Sequence, residues 1–200
     1  MIKLYGISGS RALRSIWAIE EVGVEYELVK THFMGDAKKP EYLAINPNGR
    51  IPALVDGDLT LFESMAINLY LAETYGGALW PKGDHDQARA VQWSFWGMTE
   101  IEPHLIAILL NKIMLPEGQR DAKLVTAAEK GIRRPLKVLE AHLAGRKHLL
   151  GGEFTIADLN VASVLSMAGM VKYDLSEFPA VGEWLGRCTS RPALTRARAL

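Results

Sequence analysis

The pattern of strand and helix signals in this chain changes once, between Gly76 and Asp84. Before that stretch, strand-length apolar segments alternate with helical periodicity in the order β-α-β-α-β-β-α. After it no strand pattern follows, and the ordered segments have helical spacing. The stretch between Gly76 and Asp84 is rich in glycine, proline and aspartate, which are typical of turns. We therefore predict an α/β domain at residues 1–77, a linker at 78–85 and an all-helical domain at 86–200.

In the first domain, the apolar spacing predicts strands at 2–5, 25–28, 51–55 and 59–62. Asp56-Gly57 is a strong signal for a hairpin between the last two strands. Helices are predicted at 11–22, where Gly23 is the expected C-cap, and from Ser64 to about residue 75. Residues 40–45 are expected to form a short helix or turn.

In the second domain, helices are predicted at 88–114, 122–143 and 155–171, with one or two more at the C-terminus. Pro103 and Pro135 are expected to kink the first two of these helices. Basic residues gather near the C-terminus, and we expect them to lie on a solvated helix face; they are Arg187, Arg191, Arg196 and Arg198.

Composition and charge argue against several partners. Lys+Arg and Asp+Glu both number 23, so no net field attracts nucleic acid or an anionic membrane. The apolar runs are far shorter than the ~20 residues that span a bilayer, and residues 1–6 form a strand pattern rather than a signal segment. The five histidines lack metal-site spacing, and Cys188 alone cannot form an internal disulfide. We expect a cytoplasmic protein with no metal, nucleic-acid partner or membrane.

The segment from Asn46 to Leu54 points to a ligand. A proline that opens a strand is normally trans, but a cis Ile51-Pro52 bond would turn the Ile51 N–H and C=O toward a bound peptide. Glu63 and Ser64 follow where a helix begins. Ser64 is either a plain N-cap or part of a carboxylate site made with the free N–H groups, while Glu63 could accept from an ammonium.

Ser10 lies between the first strand and the first helix. Its hydroxyl is either an N-cap or a donor to a thiolate at the positive end of the helix. Lowering a thiol pKa by about two units needs about 2.7 kcal/mol, which a charge-assisted hydrogen bond and a helix terminus can supply. Ser8 competes for this role. The loop is not a nucleophile elbow, because Ser10 stands where that turn needs glycine. Arg14 is expected to be a solvated charge, or else to brace the loop.

The helical domain contains a capping motif and a group of aromatic residues. Thr155 and Asp158 have the spacing of a capping box, which predicts a role in folding. Trp93 and Trp96 enrich one helix in aromatic residues and are expected in the core or in a subunit interface. The alternative is that Trp93, Trp96 and His104 line an apolar pocket for a second substrate.

Taken together, these residues resemble the cytosolic glutathione S-transferase superfamily over essentially the whole chain. The resemblance rests on the order and spacing of five stretches: Leu4-Tyr5-Gly6, residues 20–27, residues 46–54, Glu63-Ser64 with Ile67 and Tyr70-Leu71, and residues 154–158. Residues 10–17 look most like bacterial and fungal members with a hydroxyl residue at the active site. The lack of cysteine near Ser10 argues against the disulfide-exchanging, omega-like and beta-like members.

The resemblance implies a thioredoxin-like N-terminal domain, an all-helical C-terminal domain and a homodimer. It implies that Ser10 activates the thiol of glutathione, with Tyr5 as a further alternative because the catalytic tyrosine of other members lies close by. It places the cysteinyl part of glutathione on Ile51 beside a cis Pro52. The γ-glutamyl end falls on Glu63 and Ser64, and the glycyl carboxylate on Arg50.

The resemblance implies a glutathione transferase with glutathione as co-substrate and no permanently bound cofactor. The thiolate would attack a small hydrophobic electrophile or reduce an organic hydroperoxide. A rival expectation is a non-catalytic member that binds glutathione or another ligand, or a protein-interaction module on the same fold.

Overall fold

The computed structural model describes residues 1–200, which form two compact units. Unit 1 comprises Met1–Trp80 together with Ser190–Leu200, and unit 2 comprises Pro81–Thr189. None of the helices combines the length and the apolar composition that spanning a membrane requires. The sequence-based division at 1–77 and 86–200 stays a prediction about domains. By contacts, the last eleven residues group with unit 1.

Unit 1 contains the predicted order β-α-β-α-β-β-α and one further helix at its end. The elements are β1 (Ile2–Gly6), α1 (Ala12–Val22), β2 (Tyr26–Lys30), α2 (Pro40–Leu43), β3 (Ala53–Asp56), β4 (Leu59–Phe62), α3 (Ser64–Tyr75) and, numbered by its place in the chain, α11 (Pro192–Ala199). The first helix begins at Ala12, one residue later than predicted. Gly23 caps it as expected, with φ 73° and its N–H bonded to the Ile19 carbonyl.

The four strands form one mixed sheet in the order β2-β1-β3-β4. β1 runs parallel to β2 and antiparallel to β3, with Leu4 opposite both Leu28 and Leu54. Asp56 pairs with Leu59, so Gly57 at φ 60° opens a two-residue hairpin. Leu4 and Leu54 are fully buried. The sheet therefore holds the end of β1 beside the start of β3.

Unit 2 is entirely helical apart from one isolated bridge. Its helices are α4 (Asp84–Trp96), α5 (Glu102–Leu109), α6 (Ala122–Gly131), α7 (Arg133–Leu143), α8 (Ile156–Leu165), α9 (Met167–Met170) and α10 (Pro179–Thr189).

Three predicted helices differ in detail from the structure. The helix predicted at 88–114 begins at Asp84, and π-helical turns follow its two α-helical parts at Gly97–Ile101 and Leu110–Met114. The helix predicted at 122–143 breaks at Ile132 and not at Pro135. Pro135 lies in the first turn of α7, where its missing N–H leaves no hydrogen bond unmade. The helix predicted at 155–171 is interrupted at Ser166.

Asp158 organises the polar interior of unit 2. Thr155 and Asp158 form a capping box at the start of α8, with the Thr155 N–H 3.0 Å from Asp158 Oδ2. The same carboxylate accepts from the Leu149 N–H and from Trp184 Nε1, both at 2.8 Å. Asp158 and Trp184 are fully buried. One carboxylate thus joins the start of α8 to α10 and to the segment before α8.

Asp158→Ala should lower the free energy of unfolding by about 2–4 kcal/mol, because several buried donors lose their acceptor together. The midpoint of urea unfolding measures this. Asp121 is the matched control, since its exposed side chain caps α6 through the Lys123 N–H. Asp121→Ala should cost about 1 kcal/mol. An unchanged midpoint for Asp158→Ala with collapsed turnover would show that this residue serves chemistry.

Candidate functional site

The end of β1, the start of α1 and the segment before β3 converge at Gly6. A Cβ built on Gly6 would lie 2.3 Å from the Ala12 Cβ and 3.9 Å from the Ile51 Cβ. Gly6 also has φ 155°, a conformation that side chains disfavour. The residue is therefore glycine for both steric and conformational reasons. Its small size lets the end of β1 approach both the start of α1 and Ile51.

The Ser10 hydroxyl is already oriented by the backbone around it. Its oxygen accepts from the Ala12 N–H at 3.1 Å, and its hydrogen is donated to the Ile7 carbonyl at 2.8 Å. The first bond is the capping contact expected from the sequence, although Arg11 occupies the N-cap position proper. The hydroxyl is half-buried. If the hydroxyl hydrogen rotates away from Ile7, the group can donate to an incoming anion while the Ala12 bond holds its oxygen.

The two alternative hydroxyls occupy different places. Ser8 is half-buried on the same loop as Ser10. Tyr5 lies within β1, opposite Val29 and Ala53, and its ring packs edge-on against Tyr42 with centroids 5.9 Å apart. Tyr5 lines a shallow cavity of about 340 Å³ that also includes Lys30 and Thr31. Tyr5 is thus a wall of this cavity, whereas Ser8 and Ser10 share the loop at the end of β1.

The Ile51-Pro52 peptide bond is cis, the isomer that the resemblance implies. Both residues are buried. The main-chain N–H and C=O of Ile51 have no backbone partner in the protein. An extended peptide laid beside Ile51 could therefore pair with both groups, as an added strand does.

The turn before this bond is held by side chains. The Arg50 carbonyl accepts from the Tyr42 hydroxyl at 2.6 Å and from Asn46 Nδ2 at 2.7 Å. Asn46 Oδ1 in turn accepts from the Asn48 N–H at 3.1 Å. Burial raises the pKa of Tyr42 to about 12, so its hydroxyl remains a donor at neutral pH. These bonds fix the backbone that leads into Ile51.

Two cations lie at this turn. The side chain of Arg50 is exposed. Lys38, which the sequence analysis did not single out, donates from Nζ to the Gly49 carbonyl at 2.6 Å. Its position beside Arg50 depends on the fold between the 3₁₀ turn at Asp36–Lys38 and residue 49, so sequence spacing gave no signal for it. Together these side chains could bind a carboxylate.

Glu63 and Ser64 form the start of α3 as predicted. Glu63 is exposed and has φ 70°, an uncommon value for a residue other than glycine. Ser64 is buried, and the first N–H groups of α3 have no partner within the helix. A backbone conformation of this kind is often retained at ligand sites. The pair presents a carboxylate beside a helix N-terminus.

Buried polar groups join α1 to α3. The Ser15 hydroxyl is 3.5 Å from the Ser64 carbonyl, and Asn68 Nδ2 is 3.4 Å from the Arg14 carbonyl. Arg14 is only 4% exposed. The expectation that Arg14 is a solvated charge is therefore wrong, and its position next to the loop fits the bracing alternative. The loop that carries Ser8 and Ser10 leads into α1, and these bonds fix α1 relative to the start of α3.

The residues suggested for a second-substrate pocket lie in unit 2. Trp93 is buried, packing against Trp96 with ring centroids 5.0 Å apart and against His142 at 4.7 Å. Trp96 and His104 are half-buried. The His104 ring covers Gly131, where a Cβ would approach it to 2.4 Å. A pocket lined by these residues stays a prediction.

Two family models match this chain. They are described as Glutathione S-transferase, N-terminal domain, over residues 1–73, and Glutathione S-transferase, C-terminal domain, over residues 98–192. The chain belongs to the glutathione S-transferase family. Glutathione S-transferase 3 of Zea mays is 36% identical over 98% of this chain and 92% of its own length. Glutathione S-transferase 1 of the same plant is 35% identical over 100% of this chain and 96% of its length.

Solved structures of glutathione S-transferases have the same fold. The theta class enzyme of Xanthomonas axonopodis pv. citri, solved with glutathione bound, superposes with a TM-score of 0.90 at 31% identity, covering 100% of this chain and 97% of that one. Glutathione S-transferase-I with lactoylglutathione gives 0.89 at 33% identity, covering 99% and 98%. The predicted fold class, a thioredoxin-like domain followed by an all-helical domain, is confirmed. The Ser-type subclass stays a prediction.

Gly6→Ala should destabilise unit 1 by about 1–3 kcal/mol, because the new methyl group overlaps Ala12. Gly9 is the matched control on the same loop, since a Cβ there meets nothing within 4 Å. Gly9→Ala should leave stability within about 0.5 kcal/mol. Urea midpoints measure both. Equal midpoints for the two variants would contradict the close approach at Gly6.

Proposed function

We propose that this glutathione S-transferase binds glutathione on unit 1 and activates its thiol through Ser10. The observation that carries the proposal is the convergence of Ile51 and the start of α1 at Gly6, together with the oriented Ser10 hydroxyl at that helix start. A peptide whose cysteinyl backbone pairs with Ile51 would have its sulfur at this end of the sheet. As the thiol loses its proton, the Ser10 hydroxyl can donate a hydrogen bond to the sulfur.

The ends of the tripeptide have complementary groups. The γ-glutamyl carboxylate would bind the free N–H groups at the start of α3 and the Ser64 hydroxyl, and Glu63 would accept from its ammonium. The glycyl carboxylate would meet Arg50, with Lys38 as a second cation. Three separate contacts hold the peptide in one direction. Binding energy from both ends thus positions the thiol.

The activated thiolate would attack an electrophilic carbon, forming the C–S bond while the leaving group departs with its electron pair. A free thiol of pKa about 8.5 is only a few per cent ionised at pH 7, so lowering this pKa raises the reactive fraction. Trp93, Trp96 and His104 are our proposed contacts for a hydrophobic electrophile. Reduction of organic hydroperoxides, a homodimeric assembly and a cytoplasmic location belong to the same proposal.

Retention on glutathione resin and conjugation of a generic aromatic electrophile test the function. We expect both, and binding without turnover would favour the non-catalytic alternative. If the protein shows neither retention on the resin nor conjugation of the electrophile, the proposal is overturned.

Ser10→Ala should lower kcat/KM by roughly tenfold to a hundredfold, the loss expected when one hydrogen bond to a charged group is removed. The pH at which kcat/KM reaches half its plateau should rise, because the thiolate loses a donor. Ser8→Ala is the matched control on the same loop and should retain most of the activity. Full turnover of Ser10→Ala with an unshifted pH profile would leave Ser10 as a helix cap alone.

A further inference from the structure

The last helix of the chain is clamped to the C-terminal end of α1. Two consecutive acids on α1, Glu20 and Glu21, receive two arginines from the terminal segment, Arg191 and Arg196. The side chains of Arg191 and Arg196 remain 38% and 55% exposed, as expected for a solvated face, but their ion pairs with α1 were not predicted. Sequence spacing could not reveal the pairing, because about 170 residues separate the partners.

The first pair, between Arg191 and Glu21, is bidentate, and its carboxylate is mostly buried. Arg191 Nε is 2.6 Å from Glu21 Oε1, and Arg191 Nη2 is 2.8 Å from Glu21 Oε2. The Glu21 side chain is only 9% exposed. Trp17 Nε1 donates to the same Oε1 at 3.0 Å. A bidentate pair with a third donor fixes the orientation of the carboxylate as well as its position.

The second pair, between Arg196 and Glu20, uses the main chain of α1 as well as a carboxylate. Arg196 Nε is 2.7 Å from Glu20 Oε2, and Arg196 Nη2 donates to the Glu20 carbonyl at 2.8 Å. The Tyr26 hydroxyl donates to Glu20 Oε1 at 2.9 Å. The Glu20 side chain is 17% exposed. This clamp therefore holds the main chain of α1 as well as a side chain.

Apolar packing covers the same face. Ala193, Leu194 and Ala197 of α11 are buried, and α11 packs against α1. Trp17 of α1 is 1% exposed. Without α11 this face of α1 would be open to water. The terminal helix is therefore part of the packing that sets where α1 lies.

The position of α1 bears directly on Ser10. The Ser10 carbonyl accepts from the Leu13 N–H at 3.0 Å, and its hydroxyl accepts from the Ala12 N–H. A helix of eleven residues is a rigid rod of about 16 Å. A shift or tilt at its C-terminal end therefore moves the loop at its N-terminal end. A displacement of about 1 Å at a reacting group can cost about a hundredfold in rate.

We propose that Glu20, Glu21, Arg191 and Arg196 are positioning residues for thiol activation, acting by clamping α11 onto α1. The proposal rests on the proposed function of Ser10. In this proposal the terminal helix is part of the glutathione-binding unit. Removing the ion pairs would therefore weaken thiol activation without altering any residue that we propose to contact glutathione.

The test uses the full chain with the double variant Arg191→Ala/Arg196→Ala. Amide hydrogen exchange of the free protein should become at least about tenfold faster in α1, while exchange in α3 and the β3–β4 hairpin changes little. The pKa of the bound glutathione thiol, measured by thiolate absorbance, should rise by at least about 0.5 unit. The KM for the electrophile should change less than twofold, because neither substituted arginine is among the proposed second-substrate contacts.

Arg133→Ala is the matched control. Arg133 also forms a bidentate pair, with Glu177 at 2.7 and 2.5 Å, but this pair is exposed and lies in unit 2. It should change neither α1 exchange nor the thiol pKa. If the double alanine variant does not fold, Arg191→Lys/Arg196→Lys keeps both charges without the bidentate geometry, and should give a smaller shift in the same direction.

The outcomes separate this proposal from the proposed function. A wild-type protein that leaves the thiol pKa of glutathione unshifted overturns the role of Ser10 and this proposal with it. A shifted wild-type pKa that the clamp variants leave unchanged overturns this proposal alone, even if exchange in α1 rises. Unchanged exchange in α1 also overturns it, because the clamp then does not hold the helix.

Discussion

The close approach at Gly6 is the constraint on which unit 1 depends. Because this residue has no side chain, the end of β1 can touch the start of α1 on one side and Ile51 on the other. The Ser10 hydroxyl, bonded at the start of α1, and the main-chain groups of Ile51, which have no backbone partner, therefore belong to segments that meet at Gly6. The buried hydrogen bonds between α1 and α3 also fix the position of Glu63 and Ser64 relative to α1. Each part is ordinary alone, and their arrangement is the basis for the peptide site that we propose.

Asp158 has a different role from the residues around Gly6. Its donors come from its own capping box, from the Leu149 main chain and from Trp184, and all of them are buried within unit 2. A carboxylate satisfied in this way has no acceptor capacity directed at solvent or a ligand. Its contribution is therefore to folding. Asp158 thus shows that an acidic residue with a clear sequence motif can serve folding rather than ligand binding.

Local signals predicted the elements that depend on local chemistry. The Asp56-Gly57 turn, the Gly23 cap, the start of α3 at Ser64 and the Thr155–Asp158 capping box all follow from residue type and short spacing. The features that were missed depend on long-range contacts. Arg14 is only 4% exposed and its main-chain carbonyl is bonded to Asn68, 54 residues away, while Arg191 pairs with Glu21 at a separation of 170 residues. A charged side chain predicts exposure unless its partner is known.

The central claim is that the loop at Gly6 holds glutathione with its sulfur on Ser10. A crystal structure of the full chain with glutathione bound tests this most directly. We predict the sulfur within hydrogen-bond distance of Ser10 Oγ, with the cysteinyl N–H and C=O paired to Ile51 and the γ-glutamyl carboxylate at the start of α3. A sulfur bound instead at Ser8 or Tyr5, or a tripeptide away from Ile51, would contradict the account.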